Sequence, residues 1–340
     1  MDIRAAVAVL AVCSLGIFAA PSRAAEACPD IAPLLTLELK DTYKDPKFSV
    51  QNEDNEAANA AALQALTRFF QTLNVAVDSP DAHPGNAQSD CAFQLFNRWA
   101  SAGALTIEPK VYNSGGKVTR GLRNPAFQIL ALKLRAAGYT LDGTALRWLQ
   151  KMDRDNVTFY AKGPNRGNQR VWAAAGAALN NLVASDAEAL AFQDQVWHEA
   201  IAAIHDNGLI DAELTRGQMA LAYHMYSLSA LLILERARDA LGYAETAEEK
   251  HKVKLLEDGI GRALCSPEEM EHLAGAKMRP VGNWGYEVIN GFARAEGSLG
   301  ADWDKCALPA TDFDARDYGG DARRSAQVLD ALAARHKNLK

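Results

Sequence analysis

Two short stretches carry residue types that could handle an acidic sugar. The first is ELTRGQMALAYHMYSL, Glu213 to Leu228. Arg216 and Tyr223 are seven residues apart; at about 100° per residue, that spacing places both on one face of a helix. Tyr226 follows three residues later, near the same face, and His224 points one step round. Ala220 leaves space between the arginine and the phenol. A cation, two phenols and an imidazole with small residues between them can hold a carboxylate and move a proton. The second stretch is GNQRVW, Gly167 to Trp172. Asn168 and Gln169 can donate N–H to a carboxylate, and Arg170 adds a cation. Trp172, four residues after Asn168, can stack on a sugar ring. Each stretch also has a plainer reading. The tyrosines suit a half-buried core under a solvated arginine, and GNQRVW suits a polar helix start with a core tryptophan.

The elements that would position these residues are helices. Apolar residues recur at three- and four-residue spacing over Glu56–Val77, Asp90–Leu105, Pro125–Ala137, Thr144–Asp153, Arg170–Ala184, Asp186–His205, Arg216–Leu241, Ala247–Leu264 and Ala322–His336. Pro125 suits a first helical turn, Asp186 an N-cap, and Asn207-Gly208 a helix stop. Few segments alternate like a strand. The pattern predicts an all-α chain of antiparallel helical hairpins, which stack as a solenoid or curl into a toroid. Thr42–Asn55, TYKDPKFSVQNEDN, has no helical period and reads either as a loop over a site or as a solvated arm.

Composition narrows the partners. The formal charge of −6 over 340 residues argues against a general nucleic-acid binder, so an anionic ligand needs a local basic pocket. Arg4, the apolar run to Ala20 and the small residues Ser22 and Ala24 read as a secretory leader over residues 1–24. That run is short for a spanning helix, and no insertion into a membrane is expected once the leader is removed. Beyond the leader the cysteines are Cys28, Cys91, Cys265 and Cys306, an even set that suggests two disulfides in an exported chain. Spacing permits three pairings; Cys28–Cys91 with Cys265–Cys306 would give one local loop in each half. There is no CxxC and the histidines are scattered, so no metal and no other cofactor is expected. A monomer of one domain over residues 25–340 is the expected organisation.

Together these segments resemble the alginate lyases of polysaccharide lyase family five, the periplasmic poly(mannuronate) lyases. RGQMALAYHMY, Arg216 to Tyr226, looks like that family's arginine–(six residues)–tyrosine–histidine–x–tyrosine helix. GNQRVW aligns with its asparagine–asparagine–histidine–x–tyrosine–tryptophan segment. NGLIDAEL, Asp90-Cys91 through RWASAGAL, the EAC…LTLELKDTYKD opening and Gly319-Gly320-Asp321 match further. The resemblance implies an α/α toroid, an incomplete α/α barrel. It also implies β-elimination on an anionic β-1,4-linked uronate polysaccharide, mannuronan first and glucuronan second. Tyr223 then stands at the position of the proton-transferring tyrosine and Arg216 at that of the carboxylate-holding cation. Asn168 is implied as a neutralising donor, Trp172 as a sugar platform, and Tyr43 and Lys44 as lid residues. Arg170, His224 and Tyr226 are further candidates for substrate contact. The chain departs from the family in the lid segment KDPKF and at four single positions. Gln169 replaces the site histidine, Gly167 the first asparagine, Val171 a tyrosine, and Met219 a common basic residue. An amide still donates to a carboxylate but moves no proton, so a non-catalytic periplasmic polysaccharide-binding or secretion-associated protein is the rival expectation. A hydrolase is disfavoured, because no pair of carboxylates stands out.

Overall fold

The computed structural model describes residues 28–45, 49–107, 114–161, 167–293, 299–307 and 314–338. The leader expected at residues 1–24 lies outside them. The described chain is helical almost throughout. The first half comprises α1 (Glu53–Val77), α2 (Ala87–Ser101), α3 (Ser114–Ala136), α4 (Gly143–Ala161), α5 (Asn168–Val183) and α6 (Ala187–Ala202). The second comprises α7 (Asp211–Leu214), α8 (Ala220–Ala240), α9 (Ala247–Cys265), α10 (Glu268–Ala274), α11 (Asn283–Ala293), α12 (Ala301–Cys306) and α13 (Ala322–Lys337). Two short strands, β1 (Asp314–Ala315) and β2 (Gly320–Asp321), pair antiparallel just before α13.

Sequential helices pack on one another: α1 on α2, α3 on α4, α5 on α6 and α8 on α9. Short connections between such neighbours make them antiparallel hairpins. Their starts are fixed by side-chain caps. Asn86 accepts from the N–H groups of Gln88 and Ser89, and Asp186 from those of Glu188 and Ala189. Thr246 and Glu249 close a reciprocal capping box at α9.

The core forms two clusters. One gathers Phe69, Phe70, Trp99, Phe127 and Trp148 from α1 to α4. The other surrounds α5 and α8 with Trp172, Trp197, Leu228 and Ile233. The run Ala173 to Leu179 is buried along its whole length, because its small side chains let α3, α6 and α8 all approach α5. At Gly176 even a methyl would lie 2.4 Å from Asn124 Nδ2.

Three expectations change. Pro125 lies inside α3, not in its first turn. The turns before it escape an apolar period because their polar residues point inward. Arg120 donates to Leu105 O, Arg123 to Asp317, and Asn124 to Asp153. Second, α6 stops at Ala202; the chain then turns through Gly208, whose φ of +75° suits glycine. Third, Arg216 is not on α8. Gly217, at φ +57°, breaks the run, and a single 3-10 turn over Gly217–Met219 leads into the helix. The cysteines pair as Cys28–Cys91 and Cys265–Cys306. The first ties the segment before α1 to α2; the second ties α9 to α12. Among the described residues no helix is long and apolar enough to cross a membrane.

Candidate functional site

Arg216, Tyr223 and the loop before α1 meet. The Tyr223 hydroxyl donates to the Tyr43 hydroxyl at 2.9 Å, across 180 residues of sequence. The Arg216 guanidinium lies over the Tyr223 ring, 5.0 Å from its centroid. Burial raises the Tyr223 phenol above its ordinary range, and Tyr43 raises it further. Arg216 opposes this without reversing it. Tyr223 is therefore a neutral phenol with a cation on its face and a second phenol at its tip.

The loop that carries Tyr43 is folded over this pair. Tyr43 and Gln51 form an antiparallel bridge, with Lys44 N donating to Val50 O and Asn52 N to Thr42 O. Asp45 caps the turn by accepting from Ser49 and Val50. The loop is tethered on its far side: Gln218 Nε2 donates to Ser49 O at 2.9 Å, and Arg279 to Gln51 Oε1 at 3.2 Å. Lys44 pairs with Asp54 at 3.3 Å and stays half exposed.

Beneath lies a carboxylate that sequence reasoning did not single out. Glu213, in α7, is 1% exposed. Its Oε1 accepts from the Asn168 backbone N–H at 3.1 Å, from Asn168 Nδ2 at 3.0 Å and from Ser227 Oγ at 3.1 Å. Its Oε2 accepts from Asn168 Nδ2 at 3.0 Å and faces Arg216 Nε at 3.7 Å. Burial raises the Glu213 carboxyl; the Asn168 hydrogen bonds and Arg216 pull against that rise. In the sequence it stood at the start of ELTRGQMALAYHMYSL and inside NGLIDAEL, with no role assigned to it.

Four sequence candidates are corrected by their surroundings. Trp172 is fully buried. Tyr318 stacks on it at 4.7 Å and Tyr226 packs against it at 5.0 Å, so the indole is a floor beneath tyrosines and offers no face to a sugar. His224 is fully buried too. Its Nε2 accepts from Ile210 N at 2.9 Å, and its Nδ1 lies 2.7 Å from Ala220 O. Burial pulls its pKa down to about 4, so it is a neutral core residue. Arg170 pairs with Glu199 of α6 and lies over Phe192, which makes it a strut between helices. Asn168 is buried with its amide turned to Glu213, which occupies the donor that was assigned to a substrate carboxylate. Gln169, half-buried in the same first turn, makes no hydrogen bond to the described residues and is the amide left available.

A second group of phenols adjoins the first. The Tyr318 hydroxyl donates to Tyr226 at 3.2 Å, and Arg123 sits 5.3 Å from the Tyr318 ring while bonding Asp317 at 2.6 Å. Sequence reasoning missed Tyr318 and Arg123, although Tyr318 immediately precedes the quoted Gly319-Gly320-Asp321. A larger hollow of about 570 Å³ lies at the other end of α8. Its Arg236, Lys254 and Lys337 are each paired with carboxylates, and its one lining phenol, Tyr243, lies under Arg238, which is itself paired with Asp194.

The alginate lyase family model matches residues 38–260, a span that holds the Tyr43 loop, α5 and the Arg216–Tyr226 segment. The chain belongs to the alginate lyase family. A polysaccharide lyase of Stenotrophomonas maltophilia is 23% identical over 242 residues, covering 70% of this chain and 73% of that protein. An alginate lyase of Pseudomonas putida F1 is 28% identical over 238 residues, covering 65% of this chain and 64% of that protein. The chain thus matches about two thirds of the length of such relatives.

Solved alginate lyases share the architecture. An alginate lyase A1-III variant complexed with tetrasaccharide superposes with a TM-score of 0.70 at 18% identity, over 88% of this chain and 86% of the other. The A1-III enzyme from Sphingomonas species A1 gives 0.67 at 18% identity, over the same shares of the two chains. At that identity the likeness shows the fold: this member of the alginate lyase family is an α/α toroid.

Proposed function

We propose that the protein is a lyase that cleaves a β-1,4-linked uronate polymer by β-elimination, with mannuronan as the first substrate and glucuronan as the second. The observation that carries the reading is the Tyr43–Tyr223 hydroxyl contact of 2.9 Å beneath the folded loop, with Arg216 over the Tyr223 ring. This is proton-transfer equipment without a pair of carboxylates, which suits elimination and not hydrolysis.

The reaction breaks C5–H and C4–O4 and forms a C4=C5 double bond. H5 of a uronate is weakly acidic while its carboxylate is charged. Arg216 and Gln169 would neutralise that charge and stabilise the enolate-like intermediate. Tyr223, as the phenolate, would take H5 and then return the proton to the leaving O4. In β-linked mannuronate and glucuronate both atoms lie on one face of the ring, so one oxygen suffices for both steps. The Tyr223 proton would leave to hydroxide or a buffer base before the polymer is cut, and Tyr43, its hydrogen-bond partner, would close the site. Export to the periplasm is part of the reading. It is supported by the two disulfides and by the leader-like residues 1–24.

A second reading, a polysaccharide-binding protein without turnover, is favoured by one observation: Gln169 stands where the family has its histidine, and the neighbouring Asn168 amide is engaged by Glu213. One experiment separates the two. Purified protein is mixed with mannuronan, guluronan, glucuronan and hyaluronan, and the ultraviolet absorbance of the unsaturated uronate is followed beside a binding isotherm. Growth of absorbance on mannuronan or glucuronan supports the lyase; binding with flat absorbance on all four refutes it.

A further inference from the structure

We propose that Glu213 is the positioning residue of this cleft, holding Asn168 at the start of α5 and Arg216 at the approach to α8 in one fixed relation. The inference rests on the lyase reading for its kinetic consequence, but the geometry stands apart from it. Asn168 and Arg216 come from parts of the chain 48 residues apart, and each meets the same carboxylate. Glu213 joins them. One carboxylate spans the Asn168 backbone and side chain, Ser227 of α8, and the Arg216 guanidinium. At 1% exposure it cannot touch a polymer, so it acts only through those partners.

The surroundings are shaped around that carboxylate. Gly167 has φ +56°, and a Cβ there would lie 2.9 Å from Glu213 Oε1. The missing side chain lets the carboxylate reach the Asn168 N–H. Oε1 accepts three hydrogen bonds, which suits an ionised oxygen, and Arg216 supplies the nearest compensating charge. Glu213 also bears on Tyr223. Its negative charge disfavours the phenolate, as does the Tyr43 hydroxyl, while Arg216 favours it. Neutralising Glu213 therefore has two separable effects. It loosens Arg216 and Asn168, and it lets Tyr223 ionise at lower pH.

The test compares the full chain with Glu213→Gln, which keeps the shape and removes the charge. The expected result is a kcat lower by about 100-fold, the cost of a small displacement of acting groups, with KM changed far less. The rise of the pH–rate profile that follows Tyr223 ionisation is expected to move to lower pH. Tyrosinate formation, read by ultraviolet difference with Tyr223→Phe as the blank, is expected to shift the same way. A merely structural Glu213 would lower the folded fraction and leave both titrations in place; that result overturns the inference, as does an unchanged kcat. If Glu213→Gln does not fold, Ser227→Ala removes one donor to Oε1 and is expected to lower kcat by about fivefold; no change there overturns it equally. If the wild-type protein turns over no polymer, the lyase reading fails. The tyrosinate titration then decides the Glu213 inference by itself.

Discussion

At the scale of single residues, the decisive feature is the charge state of Tyr223. Burial and the Tyr43 contact hold it as a phenol, and the Arg216 cation only moderates this. Proton abstraction needs the phenolate, so kcat/KM is expected to rise with pH well into the alkaline range, as initial rates across a buffer series would show. Tyr43 contributes to the upward shift. Tyr43→Phe is therefore expected to move that rise to lower pH, even while the loss of the lid hydroxyl lowers the plateau. Trp172 tests the opposite assignment. As a buried floor under Tyr318 and Tyr226, Trp172→Ala is expected to cost about 3–5 kcal/mol of stability in a denaturant titration, the range for a large core aromatic. A sugar platform would instead raise KM at little cost to stability. The residue types that carry the site were legible in the sequence, since a cation, phenols and amides at helical spacing say what chemistry is available. Their facing was not. Asn168 and Trp172 are four apart as expected, but the Ala-rich body of α5 draws α3 and α8 so close that both side chains are enclosed.

At the scale of elements, polar groups inside the helical packing explain what periodicity could not see. The seam between α3, α4 and α5 contains Asn124, Gln128 and Asp153, with Asn124 Nδ2 donating to Asp153 at 2.8 Å. Inward polar residues erase an apolar period, and so the first turns of α3 escaped detection. The short helices α7, α10 and α12 escaped for another reason: four to seven residues give too few turns to show a period. Burial pushes Asp153 up to about 8 from an ordinary 3.8, so the folded chain keeps a proton that the unfolded chain loses. The sign follows from linkage: this contribution to stability is complete below pH 3.8 and is lost as pH rises through about 8. His224 acts in the other direction, with stability present above 6.5 and lost as pH falls through about 4. Asp153→Asn is expected to remove the decline in stability between pH 3.8 and about 8, as thermal midpoints measured across that range would show. The element before α13 is equally specific. Lys133 Nζ bonds Asp78 and Gly319 O, each at 2.6 Å, and Asp78 accepts from Asp321 N at 2.7 Å. Gly320 has φ +85°, and a Cβ there would fall 2.1 Å from Asp78 Oδ2. Gly320→Ala is expected to displace Tyr318 from Trp172, visible as a change in tryptophan fluorescence together with a lower thermal midpoint.

At the scale of the whole molecule, an acidic chain presents a local cationic and phenolic site inside an α/α toroid. The hairpin architecture was legible because nine long amphipathic segments left no room for a sheet; closure into a toroid was not, since period alone describes a solenoid equally well. The disulfides close loops of 63 and 41 residues. Loop entropy assigns each a stabilisation of about 4 kcal/mol, so reduction is expected to lower the thermal midpoint clearly. All of these terms serve one arrangement, the Tyr223–Arg216–Tyr43 cluster, to which the proposed function assigns the transfer of a proton from C5 to O4. The measurement that tests this most directly is the rate of unsaturated-uronate formation from mannuronan or glucuronan by the wild-type chain and by Tyr223→Phe, with far-ultraviolet circular dichroism confirming that both are folded. The account expects turnover by the wild type and a loss of at least about 10³-fold in the folded variant. A folded Tyr223→Phe protein that cuts the polymer at the wild-type rate would contradict it.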